Sequence, residues 1–202
     1  MGKIDAFLPQ KIVANMAIFV VPQSETLNPK NEAESGDLSA VADEQWKNLA
    51  ACKQATFKPD TEDDAEDHFD ALTKTRVKAA NTQISGRTWT FALERYAPVF
   101  EAMYQGVKDP LSDATLEAMG SGEAVEIYAT NTPYLPVGMK LCMFDGNGTL
   151  LKTQYMYGDL RCDGDQTFEG KILRPQAVFE VAASKHNKAV FESSLVGTGA
   201  AS

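Results

Sequence analysis

Two histidines, three cysteines and one dense run of carboxylates are the residues of this 202-residue chain whose types could make a chemical site. His68 and His186 are separated by more than half the chain, and neither has a Cys or His two to five residues away, the spacing zinc sites use. A thiol could still meet an imidazole in space as nucleophile and base. The simpler reading is three half-buried thiols, Cys52, Cys142 and Cys162, and two surface imidazoles. No G-x-S-x-G elbow, Walker loop or G-x-G-x-x-G fingerprint occurs. The carboxylates gather in Asp60-TEDDAEDHF-Asp70, seven in eleven residues, which is dense enough to attract a hard cation. An EF-hand counted from Asp60 would need Gly at position 6 and Glu at position 12, where Ala65 and Ala71 stand. The smaller Asp163-Gly-Asp165 group runs into apolar Phe168. A solvated loop and a hairpin turn explain both groups, so no metal, cofactor or catalytic set is predicted and the chain reads as a non-enzyme.

Composition narrows the class. At 44% hydrophobic and 23% charged residues the chain is apolar enough for a packed fold. With 19 basic against 28 acidic side chains the net charge is −9, the wrong sign for gripping phosphate. The longest apolar run, Met16–Val21, falls far short of the roughly 20 residues of a membrane-spanning helix. An odd number of scattered cysteines predicts free thiols and a reducing compartment. Asp5 and Pro9 interrupt any secretory signal at the N-terminus, so Asn147-Gly-Thr149 reads as part of a turn instead of a glycosylation sequon.

The elements that must position these residues follow from periodicity. Lys11–Val21 predicts a first strand, and Gln23–Gly36 a loop. Leu38–Leu49 has helix-like spacing through Leu38, Val41, Ala42, Gln45 and Trp46. Cys52–Lys58 reads as a strand entering a long charged loop, Asp60–Arg76. In Arg87–Arg95, Trp89, Phe91 and Leu93 alternate with Thr88, Thr90, Ala92 and Glu94, the pattern of a half-buried strand. Ala97–Gln105 predicts a helix with Pro98 near its start and Gly106 at its stop, and Phe100 on its apolar stripe. Pro110–Met119 predicts a second helix, capped by Asp109 or Ser112 and ended by Gly120. Strands are predicted at Ala124–Thr130, Met139–Phe144, Thr149–Tyr157, Gln166–Leu173 and Ala177–Ala183. Turns at Asp145–Gly148 and Cys162–Gln166 separate several of them. The expected fold is mainly β: one domain, 1–202, an antiparallel sandwich or barrel with one or two flanking helices, a long inter-strand loop and a small-residue tail from about 192.

From Trp46 to Gly106 the chain resembles the major tail tube protein of long-tailed bacteriophages. The residues that carry the resemblance are Trp46-Lys-Asn-Leu49, ACKQATFKPD (51–60), EDDAEDHFDALTKTR (62–76), TWTFALER (88–95) and APVFEAMYQG (97–106). The resemblance implies a virion protein, made in the host cytoplasm, that forms hexameric rings. These would stack into a hollow tail through which DNA passes without specific binding. It implies partners that are other copies of the chain and other tail proteins such as tape measure, terminator and baseplate, and no membrane. It makes the charged loop the ring-stacking element, with Asp60, Glu62, Asp63, Asp64, Glu66, Asp67, Asp70, Lys74 and Arg76 as its candidate contacts. Trp89, Phe91, Leu93 and Phe100 are then the core anchors beneath it.

Two other classes compete. One is a different virion ring component, a tail terminator or capsid decoration protein, which would share the acidic β-rich character but form no filament. The other is a ligand-binding β-sandwich with Trp46, Tyr134 and Tyr157 as a stacking platform. Arg87, Arg95, Lys74 and Arg76 are the cations that could meet acidic segments of neighbours, although each taken singly reads as an ordinary surface charge.

Overall fold

The computed structural model describes residues 13–70, 75–127, 134–163 and 175–191, with backbone alone at 60–70, 75–85 and 163. Seven strands form: β1 (Asn15–Pro22), β2 (Lys47–Asp70), β3 (Thr75–Tyr96), β4 (Leu135–Phe144), β5 (Leu150–Asp163), β6 (Gln176–Val181) and β7 (Lys188–Phe191). Every pairing is antiparallel, in the order β4-β1-β2-β3-β6-β5-β7. β4 also pairs with β5 along Leu135–Phe144, so β1 to β6 close into a barrel. Closure leaves its strands no open edge within the ring. The other edge of β5 is shared: β6 takes Gly158–Asp163 and β7 takes Lys152–Tyr155. Gly158 sits where β6 ends; a Cβ there would lie 2.1 Å from the Glu180 carbonyl oxygen, so only glycine allows the two strands this close.

The inward rows of the strands make the core. Ile18, Val20, Leu49, Phe91, Leu93, Val137, Met139, Leu141, Leu160 and Phe179 are buried in one cluster, joined by Val99 and Phe100 from α1 (Pro98–Tyr104). Pro98 supplies the first helical position of α1 and Gly106, at φ +68°, turns the chain after it. The helix packs across the barrel end where β3 finishes, with Tyr96 and Phe100 rings 5.3 Å apart and the Ala97 N–H donating to the Leu49 carbonyl at 2.9 Å. A second cluster of Val21, Leu38, Trp46 and Tyr157 lies under the 23–46 segment. There the buried Tyr157 hydroxyl donates to the Gly36 carbonyl at 2.7 Å.

Several expected elements differ. Leu38–Leu49 is not a helix but two single 3-10 turns, Leu38–Ala40 and Asp43–Gln45, because Lys47 already pairs with Val20 of β1. The two turns still bury Leu38 and Trp46. The second helix, α2 (Asp113–Ser121), begins after Ser112 but runs past Gly120, and Gly122 ends it at φ +74°. Ala124–Thr130 yields only a bridge of Ile127 to Val107 among its described residues. The Asp145–Gly148 turn forms as expected: Asp145 Oδ1 accepts from the backbone N–H groups of Asn147 and Thr149, each at 2.8 Å, and Gly148 takes φ +81°. Cys162 and Asp163 belong to β5 instead of a turn, and β7 has no counterpart in the sequence reading. The expected strand Gln166–Leu173 and the tail from 192 lie outside the described residues. No helix among the described residues is long and apolar enough to cross a membrane.

Candidate assembly interface

The largest departure from the sequence reading is the acidic segment. The described residues of Asp60–Arg76 are strand instead of loop: β2 and β3 continue as a two-stranded ribbon, paired from Asp60↔Gly86 and Thr61↔Ile84 out to Phe69↔Arg76 and Asp70↔Thr75, while 71–74 lie outside the described residues. The residues between the carboxylates explain it. Thr61, Phe69, Thr75, Val77, Thr82 and Ile84 favour extended backbone. β1 pairs with β2 only over Lys47–Cys52, and β6 pairs with β3 only from Thr88 onward. Beyond those points, among the described residues, each arm strand pairs only with the other. Eleven residues at about 3.3 Å each carry the arm roughly 35 Å outward.

Asp60, Glu62, Asp63, Asp64, Glu66, Asp67 and Asp70 all stand on the distal half of β2, with Arg76 on β3 opposite Phe69; Lys74 lies outside the described residues. The two-residue period of a strand divides them. Positions 60, 62, 64, 66, 68 and 70 share one face, opposite Gly86, Gln83, Asn81, Ala79, Val77 and Thr75; five are carboxylates and the sixth is His68, with no Lys or Arg among them. Positions 63 and 67 share the other face with Lys78 and Arg76. One face of the arm therefore carries five carboxylates and one histidine, while on the other two acids are balanced by two bases.

The proximal half of the hairpin is a different surface. Phe91 and Leu93 are fully buried, as is Phe100 on α1, and Trp89 is only 9% exposed. Phe57 on β2 is 45% exposed and lies over Trp89, ring centroids 4.8 Å apart. Lys53 and Glu94 pair across the strands at 3.4 Å on the exposed face.

Of the residues considered for chemistry, His186, Cys52 and Cys162 have structural surroundings, while the His68 side chain lies outside those described. His186 is buried instead of on the surface; its Nε2 lies 3.0 Å from the Asn31 carbonyl, so that nitrogen carries the proton and donates. Burial, with Glu94 adding to it, pushes the Cys52 thiol up to about 11; burial and then Glu101 push Cys162 up to about 12. Neither is a thiolate nucleophile near neutral pH. No group of three or more His, Cys, Asp or Glu among the described residues could hold a metal ion. The stacking platform also dissolves: Tyr157 and Trp46 are buried, and Tyr134, 43% exposed, sits under the Arg161 guanidinium.

No protein-family model matches the chain, and no curated protein matches it. Among solved structures it is similar to a chain in "Cryo-EM structure of the anti-feeding prophage (AFP) baseplate, 6-fold symmetrised", with a TM-score of 0.35 and 6% identity over 91% of this chain and 96% of that one.

Proposed function

We propose that the chain is a structural virion protein of a phage tail, a self-assembling subunit whose rings, six-membered in this reading, stack into a tube that conducts DNA. The arm is the observation that carries this reading. A two-stranded ribbon has no core of its own and is marginal in water without a third partner. The barrel closes on itself, yet the same two strands run on into a ribbon whose outer edges are unpaired within the described residues. Such an edge is a template for another chain, and a row of carboxylates keeps it from pairing indiscriminately before assembly.

The charge supports a conduit. A net −9 per subunit repels phosphate, so DNA would pass without being held. In this reading the chain performs no catalysis, is made in the host cytoplasm and resides in the tail, against tape measure, terminator and baseplate proteins.

Negative-stain electron microscopy of the concentrated protein, with light scattering on the same sample, tests the proposal. Hollow filaments with a regular axial repeat are expected. Discrete rings alone would replace the tube with a terminator or decoration role. Single chains at the highest soluble concentration would overturn self-assembly.

The hairpin register also refines the deletion that tests the arm. Removing Glu62–Thr73 would strip one strand and orphan the other. Removing 62–83 and closing Thr61 to Ile84 with Asn-Gly takes both strands together. The shortened chain is expected to fold and stay soluble but not stack.

A further inference from the structure

The barrel end from which the arm leaves, opposite α1, is not filled by apolar side chains. The inward row of β3 runs Leu93, Phe91, Trp89 and then Arg87; that of β5 runs Met156, Gln154 and then Lys152. Arg87, Trp89, Lys152, Gln154 and Met156, with Phe57, line a cavity of about 370 Å³ at the base of the arm. Polar groups elsewhere on its wall are already engaged. Lys188 Nζ donates to Asp37 at 2.6 Å, and the Asn187 amide donates to the Ala182 carbonyl while accepting from the Tyr157 N–H. Four groups are left over. Trp89 Nε1 and Gln154 Oε1 are buried with no hydrogen-bond partner among the described residues, although Trp89 is nine-tenths buried. Arg87 and Lys152 make no ion pair among the described residues, and the Lys152 ammonium rests 4.9 Å from the Phe191 ring centroid. Burial holds that ammonium below the usual lysine range, the situation an incoming anion relieves.

An indole N–H and two cations require acceptors with negative charge, and the amide oxygen requires a donor. An extended acidic segment offers both: carboxylates for Trp89, Arg87 and Lys152, and a backbone N–H for Gln154. The chain contains such a segment in the arm's five-carboxylate row. A subunit's own row does not face its own mouth, because Arg87 pairs with Pro59 and Asp60 with Gly86, which sets the five-carboxylate row on the face of the hairpin opposite Arg87.

Resting on the ring-forming reading above, we propose that the mouth of each barrel receives the acidic face of the arm of a second copy of this chain, held by Arg87, Lys152, Trp89 and Gln154. One surface is then the donor and a different one the acceptor. Such a contact is heterologous and builds rings or open stacks instead of closed pairs.

Sedimentation velocity over a concentration series tests it with three proteins: wild type, Arg87→Glu/Lys152→Glu, and that pair combined with Glu62→Lys/Asp64→Lys/Glu66→Lys. Circular dichroism confirms that each folds, and Arg87→Gln/Lys152→Gln replaces the reversal should it not. The mouth variant is expected to raise the concentration of half-assembly by about tenfold or more, the scale of losing close charge pairs across an interface. The combined variant is expected to restore assembly. Wild-type assembly unchanged in the mouth variant would overturn the docking while leaving self-assembly intact. Loss of assembly that the swapped arm does not rescue would overturn the arm as occupant. A wild type that never assembles would overturn both readings.

Discussion

The barrel and the arm are built from the same two strands and obey opposite rules. Within the barrel, β2 and β3 each have neighbours on both sides, and β3 buries Phe91 and Leu93 completely. In the arm the same strands pair, among the described residues, only with each other, and β2 carries a carboxylate at seven of eleven positions. A strand holds its conformation through lateral pairing and one buried face. The barrel supplies both, and the arm supplies only the first. Stability therefore resides in one half of the hairpin, and the capacity to meet another molecule in the other.

The largest expected effect separates the halves. Phe91→Ala should cost about 3–5 kcal/mol in a denaturant titration, the range for truncating a buried aromatic. Removing 62–83 should change the same midpoint by less than about 1 kcal/mol, because no third strand among the described residues pairs with that ribbon. Comparable losses from the two would mean that the arm contributes to the barrel's own stability.

How much of this was legible in the sequence depended on what fixed each element. Trp89, Phe91 and Leu93 alternate because a half-buried strand needs them to, and that signal is local. Pro98 and Gly106 bracket α1 for reasons equally local. The arm was not legible because its carboxylates resemble loop chemistry, while its extension depends on pairing with residues five to twenty-six positions further along the chain. The run Leu38–Trp46 misled in the reverse direction: helical spacing also suits consecutive 3-10 turns, and pairing of Lys47 with β1 decides between them. At the barrel mouth, Arg87 was visible as a cation that could meet a neighbour's acids. Its companions Lys152 and Gln154 come from a strand whose alignment with β3 only closure of the barrel establishes.

A second, smaller effect sharpens the account of closure. Gly158→Ala should destabilise the chain by about 1–3 kcal/mol, since its Cβ would meet backbone oxygen that cannot step aside. The arm's assembly behaviour should follow only through the folded fraction. Assembly lost in a fully folded Gly158→Ala chain would tie the arm to the β5–β6 junction.

Smaller still is Tyr157→Phe, which removes the hydroxyl bond to Gly36 and should cost about 1–2 kcal/mol, leaving the carbonyl unpaired. Three buried groups in different parts of the fold give a pH dependence. Burial raises Cys52 from 9.0 to about 11, Cys162 from 9.0 to about 12 and Tyr157 from 10.0 to about 12. The folded chain then holds protons that the unfolded chain releases, so their contribution is full below pH 9 and is lost as pH rises from 9 to 12. Urea midpoints measured across that window should fall; a flat profile would mean these groups ionise alike in both states.

Hydrogen exchange read by mass spectrometry, on dilute single chains and on the assembled state, addresses the contrast between barrel and arm most directly. Amides of β4 and of Thr88–Tyr96 should be protected in both samples, while those of 60–70 and 75–85 should exchange rapidly in the single chain and become protected on assembly. Arm amides as protected as β4 in the dilute chain, or unchanged by assembly, would contradict the account.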